Sequence, residues 1–278
     1  MKIPGIGGWI SALRRYPVRG AVLLALVCAA ALIAASDGGD RQGEARAARA
    51  ADGGDLLDWL RALGQLPEPD DAATRRVPGP SFEIARVRDG ARVVLHRRPE
   101  GGAIANLGDT TGFGSPRHFW IARRTPGWLG VSVPKLPNGE LGWIRDDPIA
   151  LELMRSPYFI EADTSERTLE LHYGKRILER FSVTVGAPGS PTPPGAYAVT
   201  DGVVGKAVGR YYGCCVLALS GHQPNLPSDW IGGNRIAIHG TPGTVGLAAS
   251  TGCLRATDLD MVSLFARVPL GAPVFIRR

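Results

Sequence analysis

The chain has 278 residues, 44% of them hydrophobic, enough for one large domain or two modest ones with ample core. Its 37 glycines and 22 prolines point to a loop-rich β protein rather than a helical one. The formal charge of +6 is spread without a basic stripe interleaved with aromatics, so no nucleic-acid partner is expected.

Lys2, Arg14, Arg15 and Arg19 precede an uninterrupted apolar run over residues 20–35, then Ser36. A basic n-region before an apolar h-region is an export signal, either cleaved near Ser36 or kept as a membrane anchor, with the anchor preferred. Cys28 lies within the run, but Val27 before it suits a lipoprotein cleavage site poorly, so Cys28 reads as an apolar filler. Residues 37–54, rich in Ala, Gly, Arg and Asp without periodicity, read as a flexible linker. Within residues 55–81, Asp55 is an N-cap, Leu56, Leu57, Leu60 and Leu63 form one helical face, and a Pro-rich connection follows.

Over residues 82–147 the pattern becomes five short strands, at 83–87, 91–95, 119–122, 128–133 and 141–144, with Pro137-Asn-Gly-Glu140 turning the chain between the last two. Strand spacing and the closing Gly142-Trp-Ile144 resemble a bacterial SH3-like domain, which implies a small barrel. Trp128 and Trp143 would be either its core or wall-binding residues, with core the expected role. Residues 147–157 read as a connection.

Residues 157–278 carry strands at 158–163 and 168–173 joined by a Thr164–Arg167 hairpin turn, another at 180–185, a Pro- and Gly-rich loop over 186–195, a helix over 257–265 and a closing strand at 273–276. The stretch from 202 to 231, with Tyr211, Tyr212, His222 and Trp230, has few regular signals and is a candidate lid. Outside the export segment there are three cysteines, an odd number, so at least one thiol stays free. A bond between the adjacent Cys214 and Cys215 would be strained, and the pair reads as two small apolar residues. The histidines at 96, 118, 172, 222 and 239 are scattered and no Cys-x-x-Cys is present, so neither a metal nor any other cofactor is expected.

The chemistry concentrates in Arg235-Ile-Ala-Ile-His-Gly-Thr241 and Ser250-Thr-Gly-Cys-Leu-Arg255. His239 ends a β-propensity run, and Gly240 after it leaves room for close approach. Cys253 would need that imidazole to take its proton or stabilise its thiolate, and the amides of Thr251, Gly252 and Cys253 could face a developing oxyanion. His222, in a turn-like Gly-His-Gln-Pro setting, ranks behind His239 as a base.

These two blocks, with Thr192-Pro-Pro-Gly-Ala-Tyr197 and Phe181-Ser-Val-Thr-Val-Gly186 upstream, resemble the L,D-transpeptidase (YkuD) catalytic domain over about residues 158–278. Thr251 stands where many members carry a second histidine, and the loop from His239 to Ser250 is short. Together with the SH3-like resemblance over residues 82–147, the YkuD resemblance implies a mainly β chain, an SH3-like barrel followed by a YkuD-type β-sandwich with one or two short helices. It implies Cys253 as nucleophile, His239 as base and the Gly240 carbonyl orienting the imidazole. Thr251 and Gly252 would serve the oxyanion, and Ser250, Arg255 and Tyr212 the substrate. The implied reaction joins the third residues of two peptidoglycan stem peptides and releases D-alanine. Carbapenem-type inhibitors are implied as acylating agents, with an L,D-carboxypeptidase, a wall-peptide thiol peptidase or a non-catalytic wall-binding protein as the alternatives.

Overall fold

The computed structural model describes residues 78–231 and 233–278; the export segment, linker and first helix expected from sequence lie outside them. Two sheets hold almost all regular structure. The first has seven strands, β1 (Phe82–Val87), β2 (Arg92–His96), β3 (Ala103–Gly108), β4 (His118–Thr125), β5 (Trp128–Val131), β6 (Gly142–Arg145) and β7 (Leu151–Ser156), in the order β3-β2-β6-β5-β4-β1-β7. Alternation sets its inner face: in β2, Val93 and Leu95 point inward while Arg92 and Val94 face out. Val93, Leu95, Phe119, Ile121, Leu129 and Ile144 belong to one buried cluster within this sheet.

The sequence offered five of these strands. β7 replaces the expected connection and pairs along all of β1, from Phe82↔Ser156 to Val87↔Leu151. Asn138 and Gly139 do form a turn, with Gly139 at φ 85 and the Glu140 amide on the Pro137 carbonyl at 3.1 Å. It sits in a longer loop, because the β5–β6 ladder ends at Val131↔Gly142. Trp128 (3% exposed) and Trp143 (9%) are core residues, not wall-facing ones.

The second sheet runs β10 (Arg176–Ser182), β9 (Thr168–Tyr173), β8 (Tyr158–Asp163), β17 (Pro273–Arg277), β12 (Gly195–Val204), β13 (Cys215–His222), β14 (Arg235–Thr241), β16 (Leu254–Thr257). A two-stranded parallel piece joins β11 (Val185–Gly186) to β15 (Ala248–Ser250). β13 runs through the stretch proposed as a lid; buried over seven of its eight residues, it lacks the alternation by which a half-buried strand announces itself. Two short 3-10 helices, Gly205–Ala207 and Arg210–Tyr212, precede it.

The one α-helix among the described residues, α1 (Asp258–Arg267), starts where Thr257 accepts the Asp260 amide, and it buries Met261 and Leu264 on the second core. Thr257→Ala should cost about 1 kcal/mol by urea unfolding, the usual worth of such a cap.

The sheets meet along an aromatic seam. Phe82 lies 5.3 Å from Phe159 and 5.8 Å from Phe275, and Trp120 lies 5.6 Å from Phe275. Polar contacts extend the seam: Ser132 Oγ meets Ser220 Oγ at 2.7 Å, and Asn138 grips the His222 backbone.

Candidate active site

β14 is the backbone of the site. It lies antiparallel to β13, with Val216 opposite His239, and parallel to β16, with Ile238 opposite Leu254 and His239 opposite Arg255. Continuing that register one residue back sets Cys253 beside Ala237, so alternation puts Ala237, His239, Cys253 and Arg255 on one face. The sequence-predicted pair is therefore brought together by strand pairing.

His239 is 4% exposed, and its Nδ1 lies 2.7 Å from the Gly240 carbonyl. A carbonyl only accepts, so Nδ1 carries the proton and Nε2 keeps a free lone pair. Burial lowers this imidazole to about 4, against smaller opposing effects of the Gly240 hydrogen bond and the Asp258 carboxylate. At neutral pH it is an uncharged base.

Cys253 is a free thiol, partly open to solvent. Its surroundings still push the thiol up through burial, while a backbone hydrogen bond at Ala237 and the Arg255 guanidinium pull it down. Thiol and imidazole are thus both neutral at rest, favouring proton transfer during attack over a standing thiolate.

The turn before Cys253 is built by Ser250. Its hydroxyl donates to the Cys253 carbonyl at 2.6 Å and accepts the Gly252 amide at 3.1 Å. Ser250 is therefore a brace inside the turn, and the Gly252 amide is already engaged. Among the described residues, the amides of Thr251 and Cys253 donate to no protein acceptor, which leaves these two for an incoming oxyanion.

Tyr212 does reach the site: its ring centroid is 4.9 Å from that of His239, and burial first, then the Cys253 sulfur, raises its phenol. Arg255 pairs through its backbone with Thr184 at 2.8 and 2.9 Å, and its Nε is buried without a hydrogen-bond partner. No ion pair engages its guanidinium among the described residues. His222 does not join the site, since its Nε2 donates to the Pro134 carbonyl and its Nδ1 meets Asn234, both at 2.9 Å.

Asp258 was missed by sequence reasoning. Its Oδ1 accepts the Cys214 amide at 3.0 Å, and a Cβ on Gly213 or Gly240 would collide with it. The only linear signal was its place one residue after the Thr257 cap. Cys214 and Cys215 form a vicinal disulfide, against the expectation of two free apolar residues. They sit at a loop-to-strand junction after Gly213 (φ 60), so the strand alternation that would hold them apart does not apply.

Among the described residues, metal-ligand atoms converge in one place, where one ligand atom each of Glu161, Glu170 and His172 lies within 4.8 Å of the others on β8 and β9. Arg180 pairs with Glu170 there, and His172 Nε2 meets Glu170 at 3.0 Å, so Glu170 is already engaged by two side chains.

The L,D-transpeptidase catalytic domain (YkuD) family model matches residues 157–276, which contain every site residue above. The YqjB protein of Bacillus subtilis strain 168, assigned by name to the L,D-transpeptidases, is 32% identical over 43% of this chain and 70% of its own length. This chain belongs to the YkuD L,D-transpeptidase family. The YkuD protein of the same strain is 29% identical over 44% of this member and 67% of its own length. Among solved structures, an Enterococcus faecium L,D-transpeptidase, crystallised as a C442S mutant, aligns at 19% identity with a TM-score of 0.34. That alignment covers 48% of the present family member and 53% of the Enterococcus chain, so the likeness spans about half of each.

Proposed function

We propose that this family member is a cell-wall L,D-transpeptidase working outside the cytoplasm, held or delivered there by its N-terminal apolar segment. The observation that carries the reading is the pairing of a free Cys253 thiol with a neutral, buried His239 whose Nδ1–H is tied to the Gly240 carbonyl.

Sulfur attacks the carbonyl carbon of the third residue of a tetrapeptide stem while its proton passes to His239 Nε2. The oxyanion is met by the amides of Thr251 and Cys253, each such donor typically worth about 3 to 4 kcal/mol. The bond to D-alanine breaks as His239 returns the proton to the leaving amine, giving a thioester. An amine of a second stem then attacks, loses its proton through His239, and releases the thiol. Arg255, with no ion pair of its own among the described residues, suits a stem carboxylate, and its planar fork would orient the donor. Tyr212 closes the imidazole's open side.

Incubating the full chain with disaccharide-tetrapeptide should yield a dimer lacking one D-alanine by mass spectrometry, and a carbapenem should add its mass to Cys253. Tripeptide alone would identify water as the acceptor, hence an L,D-carboxypeptidase. Unchanged substrate together with unmodified Cys253 would overturn the proposal in favour of a wall-binding protein.

A further inference from the structure

We propose that Asn138 and Gln223 are positioning residues through which the N-terminal sheet holds the Gly252–Cys253 turn against β14. This rests on Cys253 being the nucleophile. The path begins at the Asn138 turn, which reaches across the seam as a strand edge would: Asn138 Oδ1 accepts the His222 amide at 2.8 Å, and its Nδ2 donates to the His222 carbonyl at 2.7 Å. The His222 ring is pinned at both ends by Pro134 and Asn234, so the end of β13 and the loop over residues 132–141 are tied together by side chain as well as backbone.

Gln223 follows immediately and is 3% exposed. Its Nε2 donates to the Ser190 and Pro191 carbonyls at 3.1 and 2.9 Å, its Oε1 accepts the Asn225 amide at 2.9 Å, and its own amide donates to Asn234 at 2.7 Å. With these polar groups engaged, the side chain has one place to be. Gly252 lies directly on it: a Cβ at Gly252 would overlap the Gln223 amide. Gly252 also has φ 107, a conformation that only glycine adopts without strain, so the turn needs a wall to keep it in shape. Gln223 is that wall, and Cys253 is the next residue.

Three groups stand with the Cys253 sulfur besides this wall: Tyr212 from the second 3-10 helix, His239 on the same face of β14, and Arg255 from β16; Asp258 from α1 acts on His239. Among the described residues no hydrogen bond or ion pair joins any of them to Gln223, so removing the wall changes the thiol's cover and placement while leaving its charged neighbours in place.

The test uses the full chain and two variants. Gln223→Ala deletes the wall; Asn138→Asp keeps the acceptor for the His222 amide but sets an anionic oxygen against the His222 carbonyl. Both should alkylate Cys253 with iodoacetamide at least about threefold faster at neutral pH, as a less covered thiol ionises more readily. Both should turn over tetrapeptide about tenfold more slowly with KM within about twofold, the mark of a misplaced reacting group. Arg97→Ala, which breaks only the Arg97–Glu140 ion pair on the same turn, should change neither. Unchanged alkylation in both variants overturns the proposal, as does faster alkylation with unchanged turnover. A wild-type chain without turnover would fail the functional reading instead, and alkylation alone would then decide; if Gln223→Ala does not fold, Asn138→Asp decides.

Discussion

Cys253→Ala is expected to abolish dimer formation and D-alanine release, and His239→Gln to slow acylation by about 10²- to 10⁴-fold, the usual range for a positioned base. Cys253 carries the only thiol that the vicinal disulfide leaves free among the described residues, so no second thiol there can take its place. The sharper expectation concerns pH. A base works in its deprotonated form, and burial holds His239 down to about 4, so kcat/KM should stay level through pH 6 and fall only as pH drops toward about 4. The same depressed imidazole binds fewer protons folded than unfolded, so its contribution to stability is full above the unfolded value near 6.5 and is lost as pH falls from there toward about 4. A half-maximal point near 6.5 in the acid limb of kcat/KM would sink this account of the site.

Asp201→Ala should destabilise the fold by about 3 to 5 kcal/mol, the range for breaking a buried ion pair from one side. Asp201 is 1% exposed; its Oδ2 accepts the Thr200 hydroxyl at 2.7 Å and pairs with Arg235 at 3.4 Å, while its Oδ1 takes the Thr111 hydroxyl from the loop between β3 and β4. Burial already lowers the Arg235 guanidinium, and Asp201 is what opposes that. Asp201→Asn keeps one acceptor oxygen, enough for Thr200 or Thr111 but not both, and loses the charge, so it should cost less than Ala. Equilibrium urea unfolding with an unchanged m-value reads both, and a loss below about 1 kcal/mol for Ala would remove Asp201 from the fold's anchors.

The site's pair was legible because His239 lies on β14 and Cys253 directly precedes the neighbouring β16, in stretches that carry strong local signals, and the helix beginning near Thr257 and the Thr164–Arg167 turn were legible for the same reason. What could not be read depended on long-range burial. β13 is apolar on both faces, β7 sits between prolines at 148 and 157, and four of the six residues of β3 are Ala, Asn or Gly, which carry little β signal. The engagement of the Gly252 amide by Ser250 and the reach of Asp258 toward Gly240 are matters of side-chain direction. So is the Asn138 grip on a residue 84 positions away. None of these has a spacing rule.

The aromatic seam has a bearing on where this protein ends as a unit of solubility. The family match starts at residue 157, yet Phe159 and Phe275 inside it are covered by Phe82 and Trp120 outside it, and Gly271 packs on Ile84 and His118. A chain trimmed to the matched residues would keep its nucleophile and base but carry a wet patch of phenylalanine rings across its back, an adhesive face that would draw copies together. The seam between the sheets is thus an interior shared by both, and the point at which the recognisable sequence begins is not a point at which the protein can be cut.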